Sequence, residues 1–318
     1  MFRPRRELST ERMKAMKIKE NNEKLKYSQL FLIFVPAAVV LTVMRCIQIP
    51  TVIDTKTGFY TSRSFLVVLF FVLLFAACLS LALIPFLAKQ SRYIWFKRYK
   101  SKSFSAATRL FALVMLLDGA WSLATAYDTA QDTRIFGTVL RSMMVSGAIP
   151  QLFRGIFGLL AGIYFALLSG ALKKPDGDVE KHKVLALMPV GWVGCRLLNL
   201  FVRRISFLRV SELFLELCMC AFMTLFFMAF AQTANLIYSR DSRWRLAGFG
   251  LPAALIAVIV NVSRLIFTII DSEKYVTENY TFCVTDLAFV AFVVVLVLRM
   301  IKPKPLPEKE NTESEIVS

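Results

Sequence analysis

The stretch SFLVVLFFVLLFAACLSLALIPFL, residues 64–87, runs for 24 residues without a charge. An α-helix rises 1.5 Å per residue and the hydrocarbon core of a bilayer is about 30 Å thick, so about 20 apolar residues cross it. A helix packed in a soluble core is usually shorter and keeps a polar face. Residues 64–87 therefore predict a membrane-spanning helix.

Seven further runs of this kind follow the same rule on either side, giving predicted spans over about 29–46, 64–87, 104–127, 151–172, 184–202, 210–238, 246–270 and 280–301. The fold class expected is all-α, a polytopic bundle of about eight transmembrane helices. Residues 1–27 read as a basic cytosolic arm, 28–301 as the transmembrane domain and 302–318 as a cytosolic tail. The composition agrees: 57% of residues are hydrophobic, against about 45–50% in soluble domains. The arm is too long and too mixed in charge for a signal-peptide n-region, and no A-x-A site follows the first apolar run, so that run is expected to stay as an anchor.

The net charge of +17 is explained by orientation, not by nucleic acid. Lysine and arginine collect in alternate segments: the N-terminal arm, 89–102, 173–183, 240–245 and the tail together hold 25 of them, and the four intervening loops hold 8. The positive-inside rule then puts both termini in the cytosol of a plasma-membrane protein. Arg203, Arg204 and Arg209 fall on the wrong side of this assignment. If residues 184–202 were re-entrant, seven spans and an external C-terminus would result.

A tandem 4+4 repeat is a second expectation. An offset of 143 superposes Asp118 on Asn261, and an offset of 153 superposes Pro36 on Pro189. An even number of spans per half would make this a parallel repeat, as in some transporters; chance similarity between hydrophobic runs explains it equally well. Pro36, Pro85, Pro189 and Pro252 fall inside spans, where freed carbonyls need a neighbour or a cavity. Gly155, Gly158 and Gly162 recur at helical spacing, and Gly158-x-x-x-Gly162 predicts close backbone approach, within the chain in preference to a homodimer seam.

A charge in hydrocarbon costs about 2.5–3.5 kcal/mol on insertion scales, so each needs a partner or water. Arg45, Asp118, Arg154, Arg196, Glu212, Glu216, Arg264 and Asp286 all fall in the outer half of their predicted spans, four of each sign. Arg196, Asn199 and Arg203 share one helix face, and Glu212 and Glu216 another. Counting outward from turns near Ser206 and Tyr275 sets Arg196 level with Glu216 and Arg264 level with Asp286, with Asn261 one turn below Arg264. The candidate ligand or ion pathway is thus Arg196, Asn199, Glu212, Glu216, Asn261, Arg264, Asp118 and Asp286. These residues are either ion pairs that fix helix register or a water-reachable pocket for a small anionic or zwitterionic solute, with Glu212 or Glu216 able to exchange a proton.

No metal or cofactor is expected. The six cysteines form no CxxC pair, Cys218 and Cys220 point about 200° apart on a helix, and the only histidine, His182, lies in a charged loop. There is no GxxxxGK[ST], GxGxxG, HExxH or GxSxG motif, which argues against common ATPases, dehydrogenases, zinc proteases and serine hydrolases. The segment 89–102 carries Tyr93, Trp95, Phe96 and Tyr99 among its charges and suits a headgroup-level anchor. Asn279-Tyr280-Thr281 matches a glycosylation sequon but adjoins a span. Three functional classes remain: a small-solute transporter or substrate-binding component using the charged cluster, a sensor or accessory subunit acting through its cytosolic arms, and an intramembrane enzyme built on Glu212 and Glu216.

Overall fold

The computed structural model describes residues 29–53, 60, 64–87, 101–133, 147–173, 182–202, 210–235, 242–270 and 282–301. The basic arm, the tail, residues 89–100, Arg203, Arg204, Arg209 and the Asn279 sequon lie outside them. Eight α-helices account for most of the described residues: α1 (Gln29–Thr51), α2 (Phe65–Leu87), α3 (Lys102–Thr133), α4 (Ala148–Lys173), α5 (Met188–Val202), α6 (Val210–Ala234), α7 (Ser242–Ile270) and α8 (Val284–Ile301). Among the described residues there is no strand beyond an isolated bridge between Ile53 and Tyr60.

Six helices, α1 to α4, α6 and α7, are long and apolar enough to cross a membrane. The fold is therefore a helical bundle of the multi-pass membrane type. The remaining two are shorter. α5 is preceded by a 3-10 turn at Leu185–Leu187, and Pro189 sits where the turn passes into the helix, a position that needs no backbone N–H. Turn and helix together reach about 28 Å, close to the thickness of a hydrocarbon core. Pro85 and Pro252, by contrast, lie within continuous α2 and α7.

The packing is a set of antiparallel neighbours: α3 with α4, α4 with α5, α6 with α7, α7 with α8, α2 with α7 and α8 with α3. α7 is the most enclosed helix and α1 and α2 the least, so α7 forms the centre and α1 and α2 the rim. Their outward residues, such as Leu32, Val39, Phe65, Val72 and Phe75, are exposed apolar side chains, the surface that lipid covers.

The α3–α4 hairpin is the tightest contact. Rising along α3 and falling along α4, Ser105 meets Ser169, Asp118 meets Arg154, Gly119 meets Gly155, and Thr125 meets Gln151. A Cβ on Gly119 would lie 2.8 Å from the Leu159 backbone nitrogen, and one on Gly158 would lie 3.2 Å from Gly119 Cα. The small-residue motif of α4 thus serves an intramolecular seam, and its partner is Gly119. Without water to expel, such backbone-to-backbone packing supplies the association energy that the hydrophobic effect gives in solution.

Below the seam, each of Ser105 and Ser169 donates to the other's backbone carbonyl at 2.9 Å. Ser169→Ala removes one of these two donors and leaves Ser105 bonded. The expected loss is modest, about 0.6 kcal/mol by the average for interhelical side-chain bonds, measured by unfolding in mixed micelles.

Between the seam and α8 lies a block of buried rings: Phe111, Phe165, Phe226, Phe227, Phe230, Phe289 and Phe292. Phe111 stacks on Phe292 at 5.4 Å and meets Phe165 edge-on at 4.8 Å. On every helix that contributes, these rings lie to the same side of the charged residues described next. The block closes the bundle on that side.

Candidate functional site

The first charged cluster joins α1, α6 and α7. Glu212 stands in the first turn of α6, where the unsatisfied N–H groups favour an acid. It accepts from two arginines at once, Arg45 Nη2 on one oxygen and Arg264 Nη2 on the other, the latter at 3.0 Å. The same Arg264 Nη2 also donates to Glu216 Oε1 at 2.5 Å, one turn along α6. Arg45 completes its contacts through Nη1, which donates to Gln48 Oε1 and Tyr60 OH, both at 3.2 Å. Gln48 in turn donates to the Leu66 carbonyl and so ties in α2. Side-chain exposure is 0% for Arg45 and 5% for Glu212 and Arg264, but 17% for Glu216. Glu216 is the open edge of the tetrad.

The second cluster joins α5, α7 and α8. Arg196 grips Asp286 with a two-pronged fork, Nη1 to Oδ1 at 2.5 Å and Nη2 to Oδ2 at 2.9 Å, the strongest geometry available to this pair. Asp286 is again a first-turn acid, on α8. Asn261 Nδ2 donates to the same carboxylate at 3.2 Å, and Asn261 Oδ1 accepts from the Cys283 backbone N–H just ahead of α8. One asparagine thus braces both the acid and the start of the helix that carries it.

The third cluster joins α3, α4 and α5. Asp118 receives Arg154 Nη2 at 2.8 Å and 3.1 Å on its two oxygens, and Trp192 Nε1 at 3.0 Å. The glycine seam beside Asp118 brings α3 and α4 close enough for this. No protein-family model, curated protein or solved structure matches the chain.

The three clusters are links of one belt. On α7, Arg264 belongs to the first and Asn261, three residues earlier, to the second; on α5, Arg196 belongs to the second and Trp192, four residues earlier, to the third. Seven of the eight helices contribute a side chain to it, and α2 joins through the Leu66 carbonyl. Each cluster contains as many carboxylates as arginines, so among the described residues the belt is neutral cluster by cluster. Neutral pairing is what makes eight charges tolerable in one layer, because removing one partner leaves an uncompensated buried charge.

In and beside the belt are buried polar atoms with nothing to bond. Nε of Arg45, Arg154 and Arg264 is buried without a hydrogen-bond partner, as are Thr42 Oγ1 and Asn199 Oδ1. Buried polar groups are nearly always satisfied by protein or ordered water, so these atoms are the ones in the layer that a water or a ligand's polar atoms could serve.

Of the eight candidate residues expected from the sequence, seven fall within the belt: Arg196, Glu212, Glu216, Asn261, Arg264, Asp118 and Asp286. Asn199 is buried on α5 but joins no cluster among the described residues. The pairing differs from the depth arithmetic. Arg264 bonds to Glu212 and Glu216, and Arg196 bonds to Asp286. Counting from a turn fixes height but not azimuth: Arg264 and Asn261, about 60° apart around α7, reach α6 and α8 respectively. Trp192, Gln48 and Tyr60 are further members that the charge pattern does not mark. Trp192, four residues before Arg196 on one α5 face, carries the only clear signal, since a buried indole N–H needs an acceptor.

Proposed function

We propose that the chain is an eight-span plasma-membrane protein, both termini cytosolic, that binds and moves a small anionic or zwitterionic solute at the charged belt. The observation that carries this reading is the set of buried, unpartnered arginine Nε–H groups in a layer where Glu216 and Arg154 are partly exposed. Ion pairs kept only for register would be expected to use their donors fully, since an unmet buried donor costs about 1–3 kcal/mol. The aromatic block lies to one side of the belt and Glu216 is its most exposed carboxylate, an arrangement that suits access from the other side, as alternating access requires of a resting state. A tandem 4+4 origin would suit this arrangement, with Asp118 and Asn261 as corresponding members of two halves, both now bonded to their neighbours' charges.

Single cysteines at positions 196, 216 and 264, in a cysteine-free background of intact cells, test the reading with a membrane-impermeant maleimide. Labelling is expected at 216 first and at 264 and 196 more slowly, with protection of all three in inverted vesicles. If none of the three reacts from either side, the belt is sealed and the protein acts elsewhere, as an accessory or sensor subunit working through its arms.

A further inference from the structure

Arg264 spends one nitrogen on two acids. Its Nη2 serves both Glu212 and Glu216, while Nε, the other prong of the same guanidinium edge, is buried and bare. A guanidinium edge is built to take two oxygens of one oxyanion in parallel, so Arg264 is held below its bonding capacity by a one-pronged contact to Glu216. Of the four tetrad members, Glu216 is the most exposed and has a single bond from the cluster. It is the group most easily displaced.

Resting on the solute-binding reading above, we infer that the ligand is a zwitterion. Its carboxylate takes the Nε–Nη2 edge of Arg264 in place of Glu216, and its cationic end pairs with the Glu216 carboxylate so released. The charge balance favours this class. The tetrad holds two arginines and two glutamates, so a zwitterion leaves it neutral, whereas a lone anion adds one uncompensated charge to a low-dielectric layer and a lone cation another. No proton or co-ion is then needed to bring the ligand in. Glu212 stays in place throughout, held by Arg45 as well as by Arg264, and keeps the guanidinium oriented.

The probes are isosteres that differ in charge: γ-aminobutyrate and glycine betaine as zwitterions, butyrate as the anion, butylamine and choline as cations. Each is titrated against purified full-length protein in lipid nanodiscs, with the thermal midpoint as readout, because a ligand that binds only the folded state raises it in a concentration-dependent way. For the wild type, a zwitterion is expected to bind at least tenfold more tightly than its matched anion or cation. Glu216→Gln leaves the tetrad one positive charge in excess, and the order is expected to reverse in favour of butyrate. Arg264→Lys keeps the charge but removes the two-pronged edge, and is expected to weaken zwitterion binding at least tenfold, a readout available even if Glu216→Gln does not fold. Preference of the wild type for butyrate or for a cation, lost in Arg264→Lys, would overturn the zwitterion assignment and leave solute binding at the belt intact. No shift with any probe across its solubility range, in wild type and in Glu216→Gln alike, would overturn both.

Discussion

Glu212→Ala is expected to lower stability by about 3–5 kcal/mol, the range for stripping one partner from a buried charge cluster. Glu212 is the hub of the tetrad, accepting Arg45 on one oxygen and Arg264 on the other at 5% side-chain exposure. Its loss leaves Arg45, which is fully buried, with only the neutral partners Gln48 and Tyr60 among the described residues. Arg264 fares better because Glu216 remains. The two arginines therefore make different predictions for rescue: Glu212→Ala combined with Arg45→Met should recover much of the lost stability, whereas Glu212→Ala combined with Arg264→Met should recover less and leave Arg45 uncompensated. Reversible unfolding in mixed micelles measures all three. A Glu212→Ala variant as stable as the wild type would remove the tetrad from the account.

The second large effect is expected at a position with no polar atom in its side chain. Gly119→Ala places a Cβ 2.8 Å from Leu159 N and 3.1 Å from both Gly155 O and Gly158 C, all backbone atoms of α4 that cannot rotate aside. The helices must separate, at a cost of about 1–3 kcal/mol for overpacking, partly offset by the roughly 1 kcal/mol that alanine gains over glycine in a helix. Asp118, the preceding residue, moves with the backbone, so the Trp192 indole loses its 3.0 Å acceptor and tryptophan fluorescence should report the change. Gly194→Ala is the matched control. A Cβ there meets nothing within 4 Å, so only the helix-propensity gain remains and the variant should be slightly more stable than the wild type. Equal behaviour of the two alanine variants would mean that the α3–α4 seam is not close-packed.

Much of the bundle could be read in the sequence because length and apolarity are one-dimensional properties. The 24-residue uncharged run at 64–87 becomes the helix Phe65–Leu87, and the glycines of α4 do meet a neighbour within the chain. Helix ends were less legible. α1 continues to Thr51 and α3 to Thr133, past the points where apolar residues give out, because backbone hydrogen bonding continues through residues such as Gln48 and Thr129 after the hydropathy signal has faded. Gly119 was not visible as a partner for Gly158, since a lone glycine between Asp118 and Ala120 carries no pattern. The charged residues could be found from their cost in hydrocarbon, but their partners could not. Height along a helix is set by counting, whereas the choice between α6 and α8 as neighbour to Arg264 is set by rotation about α7, which depends on how all eight helices pack.

Both the fold and the proposed function rest on the belt's charges being bonded to one another as described, and the Arg196–Asp286 fork is the contact where this is most directly measured. A double-mutant cycle with Arg196→Met, Asp286→Leu and the combined variant, followed by unfolding in mixed micelles, isolates their interaction. If the fork is bonded as described, each single substitution is strongly destabilising and the double variant is more stable than either, since it buries no unpaired charge. Losses that simply add, with the double variant the least stable of the three, would contradict that bonding.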